Sequence, residues 1–274
     1  MKLAYSSLAC PGWTIEEAVA ATVRYGYEAI EWRLADGQTI EPDVPAETRY
    51  RLRKAPATRE IEIACLDTSC RIVQGSPEAC ATVIKEGMRM IDLAAELGAP
   101  FVRVFGGELP ANTTRAAMLG SAAEVLYTLG IYGSVCGVTV ALETHDAWTR
   151  SEDVQALMRA VALPSVKVLW DAHHTYRSGE APGQTLATLG DTIAYVHLKD
   201  SRLNEDNPDP HSWTYCLLSE GDVPLREICS VLKHAGYDGY LSLEWEKKWH
   251  PEIAEPEVIL PQAAPYLRNL WQQV

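Results

Sequence analysis

Short runs of β-branched and other apolar residues recur along the chain, separated by longer stretches with helical spacing. The short runs are Leu3–Ser6, Ala29–Arg33, Ile61–Leu66, Phe101–Phe105, Val138–Glu143, Val166–Asp171, Ile193–Leu198 and Tyr240–Trp245. Between them, Thr14–Tyr25, Pro77–Leu97, Arg115–Tyr132, Ser151–Ala162 and Pro224–Ala235 read as helices. Thr14 followed by Glu17 has the pattern of a capping box, Ser151 with Asp153 opens another helix, and Gly98, Gly236 and Gly239 stand where helices should stop. Eight strands, each followed by helical or loop material, predict the α/β class and a single (β/α)8 barrel over residues 1–274. No Pro/Gly/Ser-rich linker divides it.

Strand parity turns this pattern into a candidate site. Along a barrel strand, side chains alternate between the interior and the surrounding helices. In Tyr240–Glu246, Ser242, Glu244 and Glu246 oppose Leu241 and Leu243. In Ile193–Lys199, Tyr195 and His197 oppose Ala194 and Val196. Asp171 opposes Val166, Val168 and Trp170, and Glu143 opposes Val140 and Leu142. Four ionisable groups therefore face inward at the C-terminal ends of successive strands, the end where such barrels build their active sites. Three carboxylates and an imidazole converging in a barrel mouth repel one another unless a cation lies between them. The expected ligand set is Glu143, Asp171, His197 and Glu244 around one divalent ion. Three oxygens and one nitrogen favour Mn²⁺, with Mg²⁺, Co²⁺ or Zn²⁺ as alternatives. By the same parity Arg103 points inward, and His145 shares the parity of Glu143 and lines the pocket or orients a ligand.

Composition narrows the class. With 47% hydrophobic residues the chain can bury a full core, and a net charge of -13 argues against a general nucleic-acid or membrane-surface partner. Seven cysteines with no close CxxC pair fit reduced thiols, and no stretch approaches the ~18 apolar residues of a membrane span; both fit a cytoplasmic enzyme. The segment ending Leu8-Ala9-Cys10 loosely imitates a lipoprotein signal, but Tyr5, Ser6 and Ser7 interrupt it, so it reads as a first strand running into a loop.

The segments ALETHD (Ala141–Asp146), LWDAHH (Leu169–His174), YVHLKD (Tyr195–Asp200) and LSLEWE (Leu241–Glu246) resemble the xylose-isomerase-like superfamily of sugar isomerases and epimerases over essentially the whole barrel. That superfamily includes ketose 3-epimerases, hydroxypyruvate isomerases and keto-inositol dehydratases. The resemblance implies a carbohydrate substrate chelated through its carbonyl and neighbouring hydroxyl, an enediolate, and two glutamates that move the proton, here Glu143 and Glu244. Asp171 and His197 would be ligands only, and His174 would hydrogen-bond the reacting oxygen. Lys199 and Arg202, just after the ligand histidine, are expected to reach distal hydroxyls, a phosphate or a carboxylate. His173 reads as packing or solvent-facing, and Glu246 as a rim salt bridge with Lys247 or Lys248. Relatives are often homodimers or homotetramers.

A lyase acting on a keto-inositol or keto-glycoside is the alternative, since it begins with the same proton abstraction. An AP endonuclease is a remote one. Asp209-Pro210-His211 follows His197 at nearly the spacing of the further zinc ligands in those enzymes, yet no histidine precedes His145. The polar Ser201–Ser219 loop, with Pro208 and Pro210, is expected to close over the pocket mouth.

Overall fold

A computed structural model describes residues 1–204 and 212–274. Eight parallel strands close a barrel: β1 (Lys2–Ser6), β2 (Ala29–Trp32), β3 (Glu62–Arg71), β4 (Phe101–Phe105), β5 (Thr139–Glu143), β6 (Val166–Asp171), β7 (Ile193–Leu198) and β8 (Tyr240–Leu243). Each strand pairs with its neighbours in sequence, and β8 closes on β1 with Leu3 opposite Leu241. Helices α1 (Ile15–Tyr25), α2 (Ala46–Ala57), α3 (Pro77–Leu97), α4 (Arg115–Cys136), α5 (Ser151–Val161), α6 (Ala172–Arg177), α7 (Pro182–Leu189), α8 (Leu225–His234) and α9 (Pro256–Gln273) follow in order.

All eight expected strands are present, and two have ends that differ by more than one residue. The strand expected at Ile61–Leu66 runs on to Arg71 through a register irregularity between Asp67 and Arg71. The one expected to reach Trp245 ends at Leu243. Thr14 and Glu17 form the reciprocal capping box. Helix α5 opens at Ser151, as expected, with Arg150 at the cap position, and the Ser151 N–H donates to Glu180 Oε1 at 2.9 Å. Gly236, with φ +76, follows the end of α8, whereas Gly239 leads into β8. Pro261 and Pro265 lie inside α9, where proline normally breaks the ladder. The helix persists because Ile259, Leu260, Ala263, Ala264, Leu267 and Leu270 bury one face of it.

Inside the barrel the side chains form layers. The floor is small and apolar: Ala4, Ala29, Ala64, Cys65, Ala141, Leu169 and Tyr195 pack together, with Phe101 and Tyr240 against them. One step of two residues towards the C-terminal mouth, the chemistry changes on nearly every strand. Ala29 gives way to Glu31, Cys65 to Asp67, Phe101 to Arg103, Ala141 to Glu143, Leu169 to Asp171 and Tyr195 to His197. On β8 the progression is Tyr240, Ser242, Glu244. A barrel of this size fills its axis with side chains, so the polar layer rests on a packed floor.

No described helix is long and apolar enough to cross a membrane. Among the described residues all seven cysteines are unpaired. Asp209, Pro210 and His211 lie outside the described residues, as does the middle of the loop expected to close over the mouth, residues 205–211. The described flanks of that loop form a two-stranded antiparallel ribbon, Asp200–Leu203 with Trp213–Cys216.

Candidate active site

The four expected ligands converge. Glu143, Asp171, His197 and Glu244 are buried, and each presents a ligand atom within 4.8 Å of the others. They come from β5, β6, β7 and the residue just past β8, four neighbours in the barrel wall. His197 Nδ1 faces Glu244 Oε1 at 3.4 Å, Glu143 Oε1 at 3.8 Å and Asp171 Oδ2 at 3.9 Å. That nitrogen is buried and makes no hydrogen bond. Asp171 divides its oxygens: Oδ1 accepts the His174 N–H at 3.0 Å, capping α6, and Oδ2 faces the cluster. Glu244 divides them too, with Oε1 towards His197 and Oε2 on Lys199.

The charge balance of this layer is unfavourable as it stands. Five buried carboxyl groups (Glu31, Asp67, Glu143, Asp171 and Glu244) meet two permanent cations, Arg103 and Lys199, and one imidazole. Burial opposes ionisation of Glu143, but the Arg103 guanidinium, its Nε 3.3 Å away, holds the carboxyl below its ordinary range. Burial opposes ionisation of Glu244 as well, and His197 and Lys199 outweigh it, keeping Glu244 well below that range. Asp171 is pushed up to about 6, because burial and the charges of Glu244 and Glu143 outweigh the ammonium of Lys199. Burial disfavours a charged His197, yet Glu244 and Glu31 raise it well above the usual imidazole value. A buried imidazole that takes up a proton under carboxylate pressure is the response of a site short of positive charge. The donor set, three carboxylates and one buried imidazole nitrogen without a hydrogen bond, therefore fits a divalent cation.

The other expected residues divide. His174 lies beside the cluster, its Nε2 3.5 Å from Asp171 Oδ2. His145 stacks on it with ring centroids 4.5 Å apart, rests on Phe105 at 4.7 Å, and is oriented by Asp146 through Nδ1 at 2.6 Å. Arg103 does point inward, between Glu143 and Asp67.

Lys199 does not reach outward to distal substrate groups. Its buried ammonium donates to Glu246 Oε1 at 2.7 Å and to Glu244 Oε2, and lies 2.8 Å from Asp171 Oδ2 as an ion pair. Arg202 is placed away from the pocket: its side chain is 60% exposed, and it donates to the Glu220 carbonyl and faces the Glu220 carboxylate. Asp200 and Ser201 are buried at the start of the ribbon, whereas Arg202 and Leu203 are exposed. Glu246 is no rim pair with Lys247 or Lys248 but a partner of Lys199 and of the Tyr215 hydroxyl at 2.8 Å. Lys247 instead pairs with Glu255, and Lys248 donates to the Gly37 carbonyl. His173 is buried against Trp213 and Tyr215 and hydrogen-bonds Ser201 Oγ at 2.6 Å.

Two acids escaped the sequence reading. Glu31 accepts the Tyr195 hydroxyl at 2.7 Å and lies 3.0 Å from His197 Nε2. Asp67 lies beside Glu31, with Arg103 Nε 3.6 Å away. The parity that finds Glu143 also marks Glu31, two residues beyond Ala29, whereas Asp67 fell past the expected end of its strand.

Comparison with known proteins agrees with the barrel fold. The family model described as xylose isomerase-like TIM barrel matches residues 19–270. Fructoselysine 3-epimerase of Escherichia coli O157:H7 is 24% identical over 275 residues, covering 93% of both chains. Inosose dehydratase of Geobacillus thermodenitrificans is 27% identical over 129 residues, covering 43% of both chains. Among solved structures, an L-ribulose 3-epimerase superposes with a TM-score of 0.81 at 17% identity, over 99% of this chain and 95% of the other. The IolI protein with a bound zinc atom superposes with a TM-score of 0.84 at 18% identity, over 100% of this chain and 99% of the other. At such identities the structural likeness speaks for the barrel fold alone.

Proposed function

The chain belongs to the xylose isomerase-like TIM-barrel family, and on that premise we propose that it is a divalent-metal-dependent epimerase or isomerase of a keto-sugar. The observation that carries this reading is the convergence of Glu143, Asp171, His197 and Glu244 on one buried point, with His197 Nδ1 left without a hydrogen bond. The similarity to a fructoselysine 3-epimerase over nearly the full length supports the substrate class. A divalent ion would be held by Glu143, Asp171, His197 and Glu244, and would supply electrophilic stabilisation of negative charge at the substrate's carbonyl and adjacent hydroxyl oxygens.

The residues of the chain do the rest. Glu143 and Glu244 come from β5 and the end of β8, with β6 and β7 between them, so they address the substrate from different sides. Both are held ionised by their neighbours, Glu143 by Arg103 and Glu244 by His197 and Lys199, so each can accept a proton. One removes the carbon-bound proton and the other serves the opposite face. Lys199 holds Glu244, Asp171 and Glu246 in register with one another. His174 and His145 form the adjoining wall, where neutral imidazole nitrogens meet substrate hydroxyls. Burial, and then the charge of Lys199, push His174 well below the ordinary imidazole value, so it stays neutral at physiological pH.

A lyase reading has one observation of its own, the partial similarity to inosose dehydratases. It shares the proton abstraction and differs in expelling a leaving group. Incubating the Mn²⁺- or Zn²⁺-loaded protein with a panel of ketoses, ketoamines and keto-inositols in D2O separates these outcomes. The expected result is deuterium at the carbon beside the carbonyl of at least one ketose or ketoamine, with an epimeric or isomeric product. Enone absorbance from a keto-inositol would establish the lyase instead. A metal-loaded protein that exchanges hydrogen on none of these substrates would contradict both.

A further inference from the structure

The ligand histidine has a second nitrogen, and its surroundings are as closely built as those of the first. His197 is fully buried on β7; Nδ1 points to the three ligand carboxylates, and Nε2 lies 3.0 Å from Glu31 Oε2. The same Oε2 accepts the Tyr195 hydroxyl at 2.7 Å, so Glu31 is anchored from the strand that carries the histidine. Glu31 is itself fully buried in the barrel wall opposite, on β2. An ionised carboxylate only accepts hydrogen bonds, so the hydrogen between these groups belongs to the imidazole. Asp67, also fully buried, lies beside Glu31 on the neighbouring strand β3.

We propose that Glu31 is the positioning residue of the metal site: it takes the Nε2 hydrogen of His197 and thereby leaves the Nδ1 lone pair aimed between Glu143, Asp171 and Glu244. The inference rests on the metal reading above and deepens it. An imidazole presents a lone pair at one nitrogen only when the other carries the hydrogen, and a buried ring has no water to exchange partners with. Removing the acceptor frees the ring to take the other tautomer, which turns an N–H towards the ion's place. A carboxylate behind a ligand histidine also makes it a stronger donor, and loss of such a partner typically weakens metal binding by about 10–100-fold.

Two readouts on the full chain test this: zinc affinity and stoichiometry by calorimetry, and the His197 tautomer by nitrogen-15 imidazole NMR. The NMR is recorded with zinc bound and also metal-free, at a pH high enough to leave the ring neutral. Wild type is expected to show hydrogen on Nε2 and to bind one zinc ion. Glu31→Ala is expected to mix the tautomers and weaken zinc binding towards about 100-fold. Glu31→Gln keeps an acceptor oxygen and should recover most of the tautomer, with a loss nearer about 10-fold. If Glu31→Ala does not fold, Glu31→Gln decides: wild-type zinc affinity with an unchanged imidazole spectrum would overturn the proposal. Wild type that binds two ions, one of them lost in either variant, would make Glu31 a ligand and overturn it equally. Wild type that binds no zinc would remove the metal reading, while the metal-free spectra would still decide whether Glu31 sets the tautomer.

Discussion

Glu143→Gln and Glu244→Gln are each expected to lose about 10²-fold or more in kcat while retaining much of the metal affinity. Glutamine keeps an oxygen at the ligand position and removes the basic charge, so the pair separates proton transfer from metal binding in a way that alanine does not. The two variants should also differ from each other. Glu143 faces Arg103, whereas Glu244 is shared between His197 and Lys199. The Glu244→Gln change would leave the buried Lys199 ammonium short of one carboxylate, and the larger loss of metal affinity is expected there. If the two acids serve opposite faces, one variant should still exchange substrate hydrogen with D2O without completing turnover, which identifies the residue that abstracts the proton. Near wild-type kcat in both metal-loaded variants would remove them from the chemistry.

Arg103→Met is expected to cost about 3–5 kcal/mol of folding stability, the usual cost of stranding a buried charge. Arg103 is the buried cation of the layer on the side away from Lys199. Its Nε lies 3.3 Å from Glu143 and 3.6 Å from Asp67, and its guanidinium stacks 3.8 Å above the Phe105 ring. Methionine replaces the stem and leaves both carboxyl groups without that partner. Denaturant titration of the metal-free protein reads the effect as a lower midpoint at unchanged slope. A loss under about 1 kcal/mol would mean that water reaches these groups. Arg103→Lys keeps a charge but not the planar fork, and should fall between the two.

The barrel and five of its polar groups could be read from the chain because both depend on short-range regularities. Alternation along a strand fixes which side chains enter the interior, and strand ends at the mouth need no knowledge of what packs across it. Parity of this kind places Glu143, Asp171, His197, Glu244 and Arg103. It stops where the chain leaves the barrel wall. Arg202 lies on a ribbon whose faces bear no relation to barrel parity, so an offset from His197 misplaces it. Lys199 shares the parity of His197, but its long stem lets the ammonium settle among three carboxylates, a choice set by charge. Asp67 was hidden by an irregularity that carries β3 beyond Leu66. Helix α9 was hidden by its prolines, whose local cost is outweighed by tertiary burial of the opposite face.

The most direct measurement is anomalous diffraction from crystals of the zinc-loaded protein, collected on both sides of the zinc absorption edge. A single strong peak is expected within bonding distance of His197 Nδ1 and of carboxylate oxygens from Glu143, Asp171 and Glu244, at about 2.0–2.2 Å from each. A peak on the other side of the imidazole, between Glu31 and Asp67, or no peak near His197 at saturating zinc, would contradict the assignment of the metal site.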